Sequence, residues 1–102
     1  MLPMQKLQFF GNKNIFGTSI MKARDRMQIS QHDLAVKMQL MNLNIDQQTI
    51  SKIECNRRII TDFEFACFCE ILNLNSEELL QEFLKFYENQ SSNPPRSRSG
   101  AR

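Results

Sequence analysis

The segments ISQHDLAVKM (residues 29–38) and IDQQTISKIECNRR (residues 45–58) decide the fold that this sequence predicts. Each contains a helix-start signal. Ser30 can accept a backbone N–H that a helix start leaves free, and Asp33, three residues later, resembles the second partner of a capping box. A second start follows at Asp46. The sequence therefore predicts two consecutive short helices in this region.

Each of these two helices has an apolar face, and the second also has a polar face of unusual composition. Ile50 and Ile53 are expected to point inward from the second helix. Its polar side chains lie within an arc of about 140°, taking 100° per residue. This arc is almost free of carboxylates, which suits a surface that binds another molecule. The apolar residues of the first helix are Leu34, Ala35 and Met38, and the polar arc of the second consists of Gln47, Gln48, Ser51 and Lys52.

The segment SQHDLA, followed by DQQTISKIE, resembles the helix-turn-helix of the phage-repressor and Cro-type proteins, the Xre family. Upstream, Phe16, Gly17, Ile20 and Arg24 match the apolar-Gly-x-x-Ile-x-x-x-Arg pattern of that family. Downstream, the match continues from Thr61 to Leu80, so the resemblance covers about two thirds of the chain. It implies an all-α fold, a five-helix lambda-repressor-like bundle around one core.

Three further helices are predicted from capping residues and apolar spacing. One is expected from about Thr18 to Met27. Another opens at the capping box of Thr61 and Glu64, and the last begins at Asn75 or Ser76. The side chains expected to face inward are Ile20, Ala23, Arg24 and Met27 in the first of these helices, and Phe65, Phe68, Cys69 and Leu72 in the second.

The connection between helix two and helix three is longer than is usual in this family. Helix two is expected from Gln31 to about Gln39, and the segment from Gln39 to Ile45 holds roughly five residues more than the common pattern. This segment is rich in apolar residues, and it could lengthen helix two by one turn. The prediction is a helix-turn-helix with a longer-than-usual turn.

The resemblance also implies roles for individual side chains. Helix three would enter the major groove of double-stranded DNA, where Gln47 and Gln48 can each pair with adenine and Lys52 favours guanine. Arg24 and Glu54 are expected to form a structural ion pair between helix one and the end of helix three. The base-contacting candidates are Gln47, Gln48, Ser51 and Lys52, and the phosphate-contacting candidates are Gln31, Thr49, Asn56, Arg57 and Arg58.

Charge is unevenly distributed along the chain, although the net charge is only +2. From Gly17 to Arg58 there are seven basic and four acidic residues, a net of +3. From Ile59 to Glu88 there are seven acidic residues and one basic residue, a net of −6. The basic half favours a nucleic-acid partner, while the acidic half leaves open a protein partner. Helix-rich domains also carry uneven charge by chance.

The length of 102 residues predicts one domain. We expect a flexible N-terminal arm at 1–14, in which Lys6 and Lys13 could reach a phosphate backbone, a DNA-binding domain at 15–89 and a disordered basic tail at 90–102. No apolar run approaches the roughly 18 residues of a membrane span. Three cysteines without paired spacing predict free thiols in the cytoplasm, and neither a metal nor a cofactor is expected.

The leading hypothesis is a sequence-specific transcriptional regulator that binds a double-stranded DNA operator. Helix five is expected to form a homodimer through Phe83, Phe86 and Tyr87, because its apolar surface is wider than the roughly 100° stripe that one core requires. An antitoxin or a protein-interaction adaptor with the same fold is the alternative. An enzyme is not expected, since the chain has no nucleophile–base pair and no phosphate-binding loop.

Overall fold

Five α-helices follow one another in residues 11–90, the part of the chain that the structure, a computed structural model, describes. This part contains no β-strand, which confirms the predicted all-helical class and the number of helices within it. Residues 1–10 of the expected arm and residues 91–102 of the expected tail lie outside the described residues. The helices are α1 (Gly17–Met27), α2 (Gln31–Leu40), α3 (Gln47–Glu54), α4 (Asp62–Leu72) and α5 (Ser76–Gln90).

The hydrophobic core is formed by α1 to α4, and Phe68 is its largest fully buried side chain. Helix α3 packs against α1 and α2, and both α1 and α2 also pack against α4. Helix α5 contributes Leu79, which is 6% exposed. The remaining core residues are Ile20, Ala23, Leu34, Ala35, Met38, Ile45, Ile50, Ile53 and Leu72.

Three of the side chains expected to face inward are less buried than the apolar spacing suggested. Met27 is 43% exposed, so its inward placement was wrong. It is the last residue of α1, and the chain turns away directly after it at Gln28. Phe65 and Cys69 are half-buried. The Phe65 ring stacks on Phe16 with 4.6 Å between the ring centroids, and burial raises the pKa of the Cys69 thiol.

Side-chain caps begin four of the five helices. Ser30 and Asp33 bond reciprocally across the start of α2, with 3.0 Å and 3.1 Å between backbone nitrogen and side-chain oxygen. At α3, the Asp46 carboxylate accepts the Thr49 N–H at 2.8 Å. These backbone hydrogen bonds lower the pKa of both aspartates. The corresponding caps are Thr61 with Glu64 at α4 and Asn75 at α5.

Helices α1 to α4 are each followed, within two residues, by a residue in the left-handed region, and none of these residues is glycine. Their φ angles are 60° at Gln28, 68° at Asn42, 64° at Asn56 and 55° at Asn73. After each of them, the next backbone N–H donates to the carbonyl oxygen five residues earlier, as in a Schellman turn. Asparagine visits this region more readily than most side chains. The helix ends are thus defined without a flexible glycine.

The connection between α2 and α3 spans residues 41–46 and is anchored at its far end. Helix α2 ends at Leu40, one residue beyond the expected end, so the extra segment does not add a turn to it. Ile45 is buried in the core, and its carbonyl oxygen accepts a hydrogen bond from Gln39 Nε2 at 2.9 Å. Leu40 remains 79% exposed. Of these two apolar side chains, the core therefore buries only that of Ile45.

The start of α1 lies directly against the end of α3 at Gly17. A Cβ atom on this glycine would lie 2.2 Å from the Ile53 carbonyl oxygen, closer than two such atoms can approach. Glycine is therefore required here for the close approach of two helices. This close approach explains why the sequence pattern has a glycine at position 17.

Candidate nucleic-acid interface

Helix α3 presents a polar face away from the core. Gln47, Gln48 and Lys52 are exposed, while Ile50 and Ile53 on the opposite side have no solvent exposure. The fourth residue of the expected polar arc, Ser51, is half-buried. The structure thus brings three long polar side chains together on one exposed helix surface. Their amide and ammonium groups can donate hydrogen bonds to base edges or to phosphates.

A buried carboxylate, that of Glu54, fixes the end of α3. Its two oxygens accept hydrogen bonds from Arg24 Nε at 2.8 Å and from the terminal Arg24 nitrogen at 3.1 Å. The side chains of Arg24 and Glu54 are only 13% and 3% exposed. The hydrogen bond with Glu54 raises the arginine pKa further above its usual value, against the effect of burial. The structure therefore contains the buried ion pair that was expected from the family pattern.

Gln31 is also held by this carboxylate. Its side-chain nitrogen donates to Glu54 at 2.9 Å, and another Arg24 nitrogen donates to the Ile29 carbonyl oxygen at 2.9 Å. The sequence predicted that Gln31 contacts a phosphate, but it did not indicate this hydrogen bond between Gln31 and Glu54. The first residue of α2 is instead tied to the last residue of α3, so one carboxylate joins α1, α2 and α3.

The turn after α3 differs from the expectation in its backbone. Asn56 and Arg57 were expected to contact a phosphate, but their backbone N–H groups donate to the carbonyl oxygens of Ile53 and Lys52, at 3.1 Å and 2.7 Å. These amides close the end of α3 and point into the helix. The Arg57 side chain is exposed, and it makes no ion pair within residues 11–90. Its charge is available to a ligand.

Arg58 is engaged inside the fold. Its two terminal nitrogens donate to the two Glu64 oxygens at 2.9 Å and 3.0 Å, and the carboxylate also accepts the Thr61 N–H at 3.0 Å. Burial opposes the ionised form of Glu64, but the bonds from Arg58 and Thr61 outweigh it and lower the pKa of Glu64. Arg58 thus braces the α3–α4 turn against the start of α4. The capping-box pattern predicts the Thr61–Glu64 cap, but nothing in the sequence pattern indicates this pairing.

Two asparagines fasten residues 12–16, here called the strap, to the end of α3. Asn56 Oδ1 accepts the backbone N–H groups of Lys13 and Asn14 at 2.8 Å and 3.1 Å. Asn14 Nδ2 donates to the carbonyl oxygens of Ile53 and Arg58, both at 2.9 Å. The last residues of the expected loose arm are therefore hydrogen-bonded into the domain. No capping or apolar pattern in the sequence marked them.

Thr49, the remaining phosphate candidate, is half-buried in the first turn of α3. Its backbone N–H is already used by the Asp46 cap. Thr49 directly follows Gln48 in the sequence, in the first turn of the same helix.

Within the described range, no group of three potential metal ligands occurs and no helix is long and apolar enough to span a membrane.

The exposed apolar surface of α5 differs from the expected interface of Phe83, Phe86 and Tyr87. Phe83 and Phe86 are half-buried and line a cavity of about 260 Å³ together with Phe16. Tyr87 is 41% exposed. The other exposed apolar side chains of this helix are Leu80 and Leu84, each 50% exposed. Leu80, Leu84 and Tyr87 recur at the spacing of one helical face, and we call them the α5 stripe.

No protein-family model, no curated protein and no solved structure matches this chain.

Proposed function

We propose that this chain is a sequence-specific, double-stranded DNA-binding protein of the phage-repressor and Cro type, and that it regulates transcription. In this proposal α2 and α3 are a helix-turn-helix with a six-residue connection at 41–46, and α3 enters the major groove. The five-helix bundle is then lambda-repressor-like. DNA binding would bring the protein to the nucleoid of the cytoplasm.

The observation that carries the proposal is the exposed face of α3. Gln47 and Gln48 stand at the N-terminal end of the helix, and Lys52 follows one turn later. A glutamine can pair with both adenine N6 and N7, and a lysine favours guanine O6 and N7. The half-buried Ser51 lies between them on the same helix and can bond to either kind of base edge.

Phosphate contacts would hold this helix in its groove. Arg57 supplies a charge that no ion pair within residues 11–90 uses, at the C-terminal end of α3, and Thr49 can add a hydroxyl at the other end. Gln31 retains one side-chain N–H that can donate to a phosphate, although its position is set by Glu54. We assign Arg58 to bracing the turn, because Glu64 occupies its guanidinium group. Asn56 likewise acts by holding the strap.

Dimerisation would use α5, as the sequence predicts, but the α5 stripe would form the centre of the interface. Burying three large apolar side chains that are about half exposed would favour association. The alternative, an antitoxin or a protein-interaction adaptor, is supported by the acidic half of the chain, in which Glu77, Glu78 and Glu82 are exposed on the same helix. A basic partner could bind beside the stripe.

Selection of binding sites from random DNA duplexes tests the proposal most directly. We expect an enriched sequence, to which Gln48→Ala binds with a loss of about 1–3 kcal/mol and with relaxed preference at one base pair. Binding to random duplexes should not change. Gln81→Ala, which removes an exposed glutamine from α5, is the matched control and should bind as the unmodified chain does.

Three results would contradict the proposal. If selection enriched no sequence, specific binding would be ruled out. If Gln48→Ala lost affinity equally for selected and random duplexes, α3 would not be the helix that distinguishes bases. If DNA binding were unchanged after Gln47, Gln48 and Lys52 were replaced together, the protein-interaction alternative would become the leading hypothesis.

A further inference from the structure

The strap precedes α1 in the sequence and is hydrogen-bonded to the end of α3. Asn56 Oδ1 is shared by the N–H groups of Lys13 and Asn14, and the Asn56 side-chain nitrogen donates to Asn12 Oδ1. Asn14 in turn bonds to carbonyl oxygens on both sides of Asn56 in the sequence, and its Oδ1 accepts the Gly17 N–H at 2.8 Å. Side chain to backbone bonds therefore fix the strap at several points.

This attachment brings two positive charges to the same end of α3. The backbone nitrogen of Lys13 lies 2.8 Å from the Asn56 side chain, and Arg57 is the residue after Asn56. Both the Lys13 and the Arg57 side chains are exposed, and neither is in an ion pair within residues 11–90. Arg58, the other cation of the turn, is paired with Glu64. The two cations at this end of α3 that are not in an ion pair within residues 11–90 thus come from separate segments, Lys13 from the strap and Arg57 from the turn after α3.

We infer that Lys13 binds a DNA phosphate beside the one bound by Arg57, and that Asn56 is the residue that positions it. This inference rests on the proposed function. Lysine binds phosphate as a compact charge on a flexible stem, so its contribution depends on where its backbone is held. The strap holds that backbone next to the end of the DNA-contacting helix. Phosphate contacts of this kind set the orientation of a protein on the duplex.

The helix-end geometry offers a clean way to release the strap. Asn56 has a φ of 64°, a value that glycine adopts without strain, so Asn56→Gly keeps the end of α3 and removes only the side chain. Asn42 lies two residues after the end of α2, with a φ of 68°, and is exposed. Asn42→Gly is therefore a matched control for the same backbone change. Neither substitution alters the charge of the protein.

The experiment measures binding to the selected duplex at several salt concentrations. Each phosphate contact contributes about 0.9 to the slope of log affinity against log salt. We expect Lys13→Ala and Asn56→Gly each to reduce that slope by about 0.9, and the two together to reduce it no further. Asn42→Gly should leave the slope unchanged, as should Lys85→Ala, which removes an exposed charge from α5.

Amide hydrogen exchange gives a second measurement without DNA. The Lys13 and Asn14 amides should exchange slowly in the unmodified chain and in Asn42→Gly, and quickly in Asn56→Gly. An unchanged slope in Lys13→Ala would overturn the inference, and so would additive losses in the Lys13→Ala, Asn56→Gly double variant. If the unmodified chain bound no duplex at all, the proposed function would fail and this inference with it. Binding that persists undiminished in Lys13→Ala refutes the inference alone.

Discussion

Replacing Glu54 by alanine tests the buried connection between α1, α2 and α3. The change removes the acceptor of two Arg24 hydrogen bonds and one Gln31 hydrogen bond. Breaking a buried ion pair by deleting one partner costs about 3–5 kcal/mol, because the other charge is left without compensation. Arg24 keeps a 13% exposed side chain and its bond to the Ile29 carbonyl oxygen, so we expect the lower end of this range, about 3 kcal/mol.

Urea unfolding followed by far-ultraviolet circular dichroism measures this loss. The slope of free energy against urea should not change, since the same surface is exposed on unfolding. Glu70→Ala, at an exposed position of α4, is a control for the removal of a glutamate. A loss below about 0.5 kcal/mol for Glu54→Ala is the size expected of a solvent-exposed pair, and it would refute the reasoning.

Three further predictions concern stability. Gly17→Ala should destabilise the fold by about 1–3 kcal/mol, because its methyl group would collide with the Ile53 carbonyl oxygen, and an effect no larger than that of Thr18→Ala would contradict this. Gln28→Gly should stabilise the fold by about 0.5–1 kcal/mol, since it relieves a left-handed glutamine; a lower unfolding midpoint would contradict it. Glu64→Gln should cost about 1–2 kcal/mol at neutral pH. Because the pKa of Glu64 is lowered in the folded state, its ionised form contributes stability above its usual pKa of 4.5, and that stability is lost as pH falls through the lowered value. The difference between Glu64→Gln and the unmodified chain should therefore close on acidification, and a constant difference down to about pH 3 would argue against the assignment.

Local signals in the sequence predicted much of the architecture. The caps at Ser30 and Asp46 involve residues within one turn of each other, and the structure contains both. The positions of Ile50 and Ile53 follow from helical spacing alone. Such interactions depend on few neighbours, so a sequence pattern can identify them.

The missed features depend on residues far apart in the chain. Asn14 and Arg58 are separated by 44 positions, and no spacing rule connects them. The pairing of Arg58 with Glu64 is closer in sequence, but it depends on the path of the α3–α4 turn, which no pattern specifies. Met27 was misplaced for a similar reason, since helical spacing does not show whether the core extends as far as the last residue of α1. Tertiary geometry decides these cases.

The separation between the two faces of α3 has a consequence for how this protein could diverge. Ile50, Ile53 and Glu54 hold the helix in the fold, whereas the side chains of Gln48 and Lys52 form no hydrogen bond or ion pair with the described chain. Under the proposed function, substitutions on the exposed face would change the preferred operator at little cost in folding free energy. Specificity can then drift under selection while stability is maintained, and a new operator could be acquired through a few exposed positions.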